Sequence, residues 1–489
     1  MKAVITLEMN GAQKTIEADH GALLSDIINS SADTWQLDMP CAGKGICGHC
    51  VVYVDGLKCL ACQTMVQNDM HVKLLHPSSD FNHFAVDHMG IMPTDPMFRR
   101  YGVAIDVGTT TICAALLDAS GSMDTIIQKN PQTAFGADVV SRIEKALAGY
   151  HAGLTDSIRT ALNSMISELC ARKHISTDCI DTAVITGNTA MLYLLTGQPL
   201  EPLSRAPFEA DRLFGEWTSA RSLGFSFSPN ARIYLPPCIS AFVGADIVTA
   251  IIASDLCKQN TIALLADIGT NGEIALWHDG KLTCCSTAAG PAFEGMGISH
   301  GTYGIDGAID HAWPENGRIR TSTIGGKPAV GICGSGMIDI LSTMLKLGIM
   351  DETGTLKNGQ GGIVLQNGIQ VTASDIRKIQ LAKGSIRAGI ETLLEHSGLW
   401  EKDIELCYIS GSFGSFIHLG NAAAIGLIPS GLLDCTKPIG NAAHTGAVML
   451  LCDESLCAVA QSLTKRAKTL ALSANPVFTN HYINHMMFA

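Results

Sequence analysis

Cysteines near the N-terminus have the spacing that most directly indicates chemistry. Cys41, Cys47 and Cys50 follow one another as Cys-x5-Cys-x2-Cys, and Cys62 comes after a short apolar segment. Glycines lie between the first three cysteines, and glycine allows the positive φ values that a loop wrapped around a metal cluster requires. Backbone N–H groups aimed at sulfur also help to set the reduction potential of an iron–sulfur centre. The pattern therefore predicts thiolate ligands held in a glycine-rich loop.

The spacing favours a 2Fe–2S cluster over zinc. Plant-type ferredoxins use Cys-x4-Cys-x2-Cys and a distant fourth cysteine, and the loop here is one residue longer. Zinc is the alternative, because Cys47-x2-Cys50 and Cys59-x2-Cys62 form two CxxC pairs. The segment between these pairs is shorter than in most zinc sites, and zinc would leave Cys41 unused. We assign Cys62 as the fourth ligand, with Cys59 as the alternative.

Bulk composition narrows the class of protein. The chain has 489 residues, of which 47% are hydrophobic and 16% charged, so we expect several well-filled globular domains. A net charge of −12 provides no basic footprint for nucleic acid. We expect no signal peptide and no membrane span, and therefore read the 17 cysteines as reduced thiols of a cytoplasmic protein.

Short local patterns organise the N-terminal part. They predict strands at 3–8, 14–18 and 51–54 and a helix at 22–30, around the cysteine loop. This is the order of a β-grasp ferredoxin-like domain, which we place at residues 1–75. Residues 76–99 lack periodicity and are interpreted as a linker.

The remaining chain contains one pattern twice. A buried strand, an Asp-x-Gly-Thr turn and a second strand occur from Asp106 to Thr109 and again from Asp267 to Thr270. Such a duplication predicts an α/β fold of two similar lobes that face one cleft. We place lobe I at residues 100–256 and lobe II at residues 257–489.

The hairpin tips have the chemistry of a nucleotide phosphate site. Glycine lets backbone N–H groups reach phosphate oxygens, hydroxyl groups add donors, and an aspartate holds Mg²⁺ or a water near the γ-phosphate of ATP. Asp106 and Asp267 are the candidate catalytic carboxylates, and Glu273 is a weaker candidate. The candidate phosphate-binding residues are Gly108, Thr109, Thr110, Thr111, Gly269, Thr270, Asn271 and Gly272.

Three further glycine turns end strands just before a helix, where N–H groups face an anion. Taken alone, each turn is equally consistent with a structural helix start and with a ligand contact. Together the three turns favour contact with the same nucleotide. The second precedes a helix predicted at 337–346. No Walker GxxxxGK[ST] loop occurs. The turns contain Gly187 and Asn188; Gly334, Ser335 and Gly336; and Gly411, Ser412, Phe413 and Gly414.

These motifs resemble those of the actin, sugar-kinase and Hsp70 ATPase superfamily. The hairpins at Asp106 and Asp267 resemble its two phosphate motifs, and Ile409 to Gly414 resembles its adenosine motif. Joined to a 2Fe–2S domain, the whole resembles the reductive activators of corrinoid proteins that serve methyltransferase systems. Three further segments match that family: residues 130–143, residues 288–295 and residues 60–64.

This resemblance implies that a low-potential donor reduces the cluster and that ATP turnover drives one electron to cobalt, returning Co(II) to Co(I) in a docked corrinoid protein. It also implies that Gly411 to Gly414 lie under the adenine and ribose. The role of Glu294 stays open between the cleft, the partner and a structural turn.

Two other functions remain open at this point. One is a small-molecule kinase with a regulatory cluster, and the other is an ATP-driven electron donor to a different low-potential acceptor. The sequence names neither the electron donor nor the methyl substrate. It also leaves the oligomeric state open, a homodimer included.

Overall fold

A computed structural model describes residues 2–9, 12–30, 37, 39, 43, 45, 50–74, 91–228, 230–357, 359, 361–411 and 416–488. Some predicted positions lie outside these ranges: Cys41, Cys47, Ser412, Phe413, Gly414 and residues 76–90 of the linker. Within the described ranges, every helix is too short or too polar to cross a membrane.

The N-terminal part forms a five-stranded sheet with one helix. The strands are β1 (Lys2–Met9), β2 (Ala12–Asp19), β3 (Val51–Val54), β4 (Leu57–Leu60) and β5 (Met70–Leu74), and the helix is α1 (Leu24–Ser30). Their order is β2-β1-β5-β3-β4, with β1 and β5 parallel and the other neighbours antiparallel. Alternating apolar residues such as Ile5 and Leu7 point to one side, where Ile28 of α1 covers them. The arrangement agrees with the expected β-grasp.

A six-stranded sheet follows, in the order β10-β11-β9-β6-β7-β8. Its strands are β6 (Tyr101–Val107), β7 (Thr111–Asp118), β8 (Met123–Lys129), β9 (Ile180–Gly187), β10 (Glu216–Ser219) and β11 (Arg232–Leu235). Its helices are α2 (Val139–Lys145), α3 (His151–Arg172), α4 (Thr189–Thr196), α5 (Glu201–Ser204) and α6 (Ala245–Ala253).

The second half contains another six-stranded sheet, in the order β21-β20-β12-β13-β14-β22, and two small sheets. Its strands are β12 (Ala263–Ile268), β13 (Gly272–His278), β14 (Lys281–Thr287), β15 (Ala308–Glu315), β16 (Arg318–Thr323), β17 (Gly331–Ile332), β18 (Gly362–Val364), β19 (Gln370–Thr372), β20 (Leu406–Ser410), β21 (Thr436–Pro438) and β22 (Ala467–Thr469). Its helices are α7 (Gly334–Lys346), α8 (Ala373–His396), α9 (Leu419–Ala424), α10 (Ala442–Cys452), α11 (Leu456–Arg466) and α12 (Pro476–Asn484).

The two large sheets share one plan, which confirms the duplication. In the first, β6 pairs antiparallel with β7 and parallel with β9. In the second, β12 pairs antiparallel with β13 and parallel with β20. An apolar cluster between the sheets joins them and includes Ile251 of α6 and Val448 of α10. Because β6 and β12 both enter a predicted Asp-x-Gly-Thr turn, the shared packing brings the two tips together.

The start of α7 and the end of the linker differ from the sequence predictions. Helix α7 begins at Gly334 rather than at Met337, so the second glycine turn forms its first helical turn. The end of the predicted linker packs against α10, since the N–H groups of Thr94 and Met97 donate to carbonyls at the end of that helix. The sequence predicts neither feature, because a glycine-rich helix start and a segment without periodic apolar residues both lack the pattern that indicates packing.

Candidate functional site

Cys50 and Cys62 lie on two hydrogen-bonded segments at one end of the N-terminal sheet. Both are buried, and a hydrogen bond of 2.9 Å from Ala61 N to Cys50 O ties their segments together. Gly43 passes directly over Cys62: a Cβ added to it would lie 3.9 Å from the Cβ of Cys62, and its φ of +84° suits glycine. Gln63 Nε2 donates to Gly43 O at 3.0 Å and approaches Cys62 Sγ at 3.8 Å. The described part of the predicted ligand loop therefore places the buried Cys62 directly beside Gly43 of the loop.

The two predicted phosphate hairpins meet at their tips. Thr110 follows β6 and Thr270 follows β12, and their Oγ1 atoms lie 3.0 Å apart. Both side chains are almost fully buried. Glycine is required in the first turn, because a Cβ on Gly108 would lie 2.6 Å from Thr111 O. The fold thus brings together hydroxyl groups from both halves of the chain, as a phosphate site between two lobes requires.

Glu294 closes this junction. Its Oε2 accepts hydrogen bonds of 2.5 Å from Thr110 Oγ1 and from Thr270 Oγ1. Burial raises the pKa of Glu294, whereas the two hydroxyl donors and nearby Arg142 lower it. Glu294 therefore faces the cleft, which decides between the three positions that the sequence left open.

Asp106 and Asp267 lie beneath the tips, one on each central strand. Burial raises the pKa of Asp106 to about 7, and Asp267 and Glu294 raise it as well, against a hydrogen bond from Asn441 that lowers it. Asn441 Nδ2 donates to Asp106 Oδ2 at 3.0 Å. Burial likewise raises the pKa of Asp267 to about 6, against a lowering hydrogen bond from Ser410.

A further carboxylate joins these two, and the sequence did not single it out. Asp246 lies in the first turn of α6, and burial followed by the charge of Asp267 raises its pKa to about 8. Glu273, a weaker candidate from the sequence, is also buried, and its pKa is raised well above the usual range by burial, Asp246 and Asp267. The available signal for Asp246 was an acidic residue just after Gly244 at a helix start, which is common in helices of every function.

Gly187 and Gly411 occupy matching places in the two lobes. A Cβ on Gly187 would lie 2.7 Å from Val107 O, and a Cβ on Gly411 would lie 2.2 Å from Ile268 O. Each glycine thus lets a neighbouring strand pass directly beside the base of a phosphate hairpin. Asn188, the next residue after Gly187, uses its side-chain oxygen to accept from Met191 N at the start of α4.

The start of α7 is packed just as closely. Cβ atoms on Gly334 and Gly336 would lie 1.9 Å from Phe293 O and 2.1 Å from Ile309 O. Ser335 Oγ donates to Asp310 O at 3.1 Å. The first turn of α7 therefore abuts the segment that carries Glu294.

A cavity of about 290 Å³ opens beside Glu294 and Thr111. Tyr303 and Phe416 contribute aromatic walls, and Asp310 and Ser335 contribute polar groups. This apolar pocket with a few polar groups has the character of a small-molecule site, and it lies next to the hairpin tips.

Two family models match the chain. One, described as "RACo middle region", matches residues 101–259, and the other, described as "C-terminal domain of RACo the ASKHA domain", matches residues 261–489.

Curated relatives and a solved structure agree with these matches. The chain is 31% identical over 423 residues to "Corrinoid activation enzyme RamQ" of Eubacterium limosum, covering 79% of this chain and 70% of that protein. It is 26% identical over 427 residues to "[Co(II) methylated amine-specific corrinoid protein] reductase" of Methanosarcina barkeri, covering 79% and 77%. The solved "Reductive activator for corrinoid,iron-sulfur protein" has the same fold, with a TM-score of 0.75, 24% identity and coverage of 99% of this chain and 98% of that chain. The chain belongs to the RACo family of corrinoid activation enzymes.

Proposed function

We propose that this protein reductively activates a corrinoid protein of a methyltransferase system at the expense of ATP. A low-potential donor supplies one electron, which passes through the N-terminal domain to Co(II) of the bound partner and yields Co(I). The observation that carries the proposal is the combination of two features in one chain. One is a sheet with buried Cys50 and Cys62 on hydrogen-bonded segments, and the other is a cleft where Thr110 and Thr270 meet. Family membership supports the same reaction, and the reduced thiols fit a cytoplasmic location.

The described residues of the cysteine site fit an iron–sulfur cluster. We propose that Cys50 and Cys62 hold it together with Cys41 and Cys47. A 2Fe–2S cluster bound there supplies a one-electron carrier. Gln63 holds Gly43 in place over the sulfur of Cys62 and brings an N–H group near that sulfur. Such N–H groups are one of the factors that tune a cluster's potential.

The cleft fits Mg²⁺ and ATP. Burial raises the pKa of Asp106, Asp246 and Asp267, and neighbouring carboxylates raise it further. A bound cation would offset both effects. Among the described residues, no three His, Cys, Asp or Glu side chains are close enough to hold a metal by themselves. Mg²⁺ commonly binds through one or two carboxylates together with substrate phosphates and water. We propose that Asp106 and Asp267 are those carboxylates.

Nucleotide binding can change the reduction potential at a distant site through a coupling free energy. A coupling free energy of about 1–3 kcal/mol corresponds to about 40–130 mV for one electron. Because Thr110 and Thr270 come from different lobes, nucleotide phosphates between them would change the contact between the lobes. That change is the proposed source of the coupling.

An anaerobic assay tests this function. The protein, a low-potential reductant and a Co(II) corrinoid methyl carrier are mixed, and Co(I) formation is followed by absorbance with and without Mg-ATP. We expect Co(I) only with Mg-ATP, and its loss in Cys47→Ala and Asp267→Ala. ATP consumption without any effect on cobalt, accompanied by phosphorylation of a small metabolite, would show a kinase instead.

A further inference from the structure

Three consecutive carbonyl groups of the first phosphate hairpin are held from behind by one segment. Asn130 Nδ2 donates to Gly108 O at 2.8 Å, and Arg142 Nη2 donates to Thr109 O. The backbone N–H of Asn130 donates to Thr110 O, also at 2.8 Å. Asn130 and Arg142 are the first and last residues of the segment 130–142. Neither the hairpin chemistry nor the cysteine site assigns a role to this segment.

Holding a carbonyl also directs the next N–H group. The peptide unit is planar and trans, so its C=O and the following N–H point in opposite directions. Asn130 and Arg142 are completely buried within lobe I, and the carbonyls of Gly108 and Thr109 therefore point inward. The N–H groups of Thr109 and Thr110 consequently point away from the interior of lobe I.

Arg142 is an unusual residue to find in this place. Its hydrogen bonds go to neutral acceptors, since besides Thr109 O it donates to Gly136 O at 3.0 Å and to Gln132 Oε1 at 3.3 Å. Burial lowers its pKa to about 9, and the nearby carboxylates of Asp138 and Glu294 raise it. A buried guanidinium whose donors meet only neutral groups is costly. An anion bound at the adjacent hairpin would offset that cost.

We propose that Asn130 and Arg142 are positioning residues for the nucleotide: they fix the Gly108 and Thr109 peptide groups so that the N–H groups of Thr109 and Thr110 face phosphate oxygens. The inference rests on the proposed function, because it requires a nucleotide in the cleft. Backbone N–H groups fixed before binding form a concave anion site without reorganisation when the anion arrives. The second hairpin has a related backbone bond, from Gly290 N to Thr270 O at 2.8 Å.

Calorimetric titration of the full-length protein with Mg-ATP and with adenosine tests the inference. Arg142→Lys keeps the charge but loses the planar fork of donors, and Asn130→Ala loses the donor to Gly108 O while leaving Arg142 intact. We expect each variant to raise the Kd of Mg-ATP about tenfold. The Kd of adenosine, which lacks phosphate, should not change.

Arg159→Lys is the matched control. Arg159 lies in α3 and is also a lobe I arginine that donates to a backbone carbonyl. Its acceptor, Leu195 O at 2.9 Å, belongs to α4 and not to the hairpin. It should leave both dissociation constants unchanged. Thermal unfolding of each variant identifies any that does not fold, and Asn130→Ala then carries the test if Arg142→Lys fails.

The outcomes separate the two proposals. If the wild-type protein binds no Mg-ATP, the proposed function fails and this inference fails with it. If the wild type binds Mg-ATP, two results overturn only the positioning role. In one, the folded Arg142→Lys and Asn130→Ala variants bind Mg-ATP as tightly as the wild type. In the other, they lose affinity for adenosine to the same extent as for Mg-ATP.

Discussion

The hydroxyl oxygens of Thr110 and Thr270 lie 3.0 Å apart, although the two residues belong to duplicated hairpins in different halves of the chain. Glu294 accepts a hydrogen bond from each of them. One carboxylate oxygen therefore occupies the point between the lobes where both hairpins present donors. The Glu294 carboxyl group therefore joins the two hairpin tips in this structure.

This arrangement predicts that Glu294 opposes nucleotide binding. A phosphate oxygen at the two hydroxyl groups would meet the like charge of Glu294, so Glu294→Gln should lower the Kd of Mg-ATP about tenfold. Glu294→Asp, which keeps the charge, should not tighten binding. Titration calorimetry at pH 8 measures both. Weaker binding by Glu294→Gln would instead show that the carboxylate contacts the nucleotide or its metal.

The buried carboxylates predict a pH dependence of stability. Folding raises the pKa of Asp106 from about 3.8 to about 7, so the folded protein binds more protons than the unfolded chain between these values. The contribution of Asp106 is fully present below pH 4 and is lost as the pH rises through 7. Asp106→Asn should therefore stabilise the nucleotide-free protein at pH 8, by about 2 kcal/mol, but not at pH 5.

Urea unfolding at the two pH values, without Mg²⁺, provides the measurement. Asp118→Asn is a suitable control, because hydrogen bonds from Ser120 and Ser122 lower the pKa of that carboxyl although burial opposes them. It should not stabilise the protein at pH 8. Equal effects of Asp106→Asn at both pH values would contradict the buried-charge explanation.

The two cysteines of the second CxxC pair should differ in their effect on the cluster. Cys62 is buried under Gly43, whereas Cys59 is half-buried in β4, where it pairs with Val52 of β3. Cys62→Ser should therefore abolish cluster assembly, and Cys59→Ser should preserve it. Iron analysis and visible absorbance after anaerobic reconstitution measure the outcome. Loss of iron in both variants, or zinc in place of iron in the wild type, would reject this ligand assignment.

Gly411 should tolerate no side chain. An alanine Cβ there would lie 2.2 Å from Ile268 O at a φ of +124°, so Gly411→Ala should displace the base of the second hairpin. We expect a loss of about 1–3 kcal/mol of stability and weaker Mg-ATP binding. Gly280→Ala is the control, because Gly280 also has a positive φ, +72°, but nothing lies within 4 Å of the added Cβ. Similar losses in both variants would mean that backbone strain, not the contact with Ile268 O, is responsible.

Local sequence determined much of this protein. The strands before Asp106 and Asp267, their glycine turns and the cysteine spacing are all short-range patterns, and periodicity and turn chemistry are legible within a few residues. The duplication follows from comparing two such patterns. For the same reason the strands of the N-terminal sheet were predicted within one or two residues, apart from β4 and β5.

Tertiary structure alone decided how the site is completed. Asp246 and Asn441 approach the hairpins from two separate segments, and nothing in their own neighbourhoods distinguishes them from an ordinary helix start. The sequence left the position of Glu294 open, and only its contacts with both hairpins place it in the cleft. Arg142 likewise has no role that its sequence neighbourhood assigns until the fold buries it against Thr109 O. The physical reason is that burial, charge proximity and close packing are properties of residues distant in the chain, and they exist only once the two lobes have closed together.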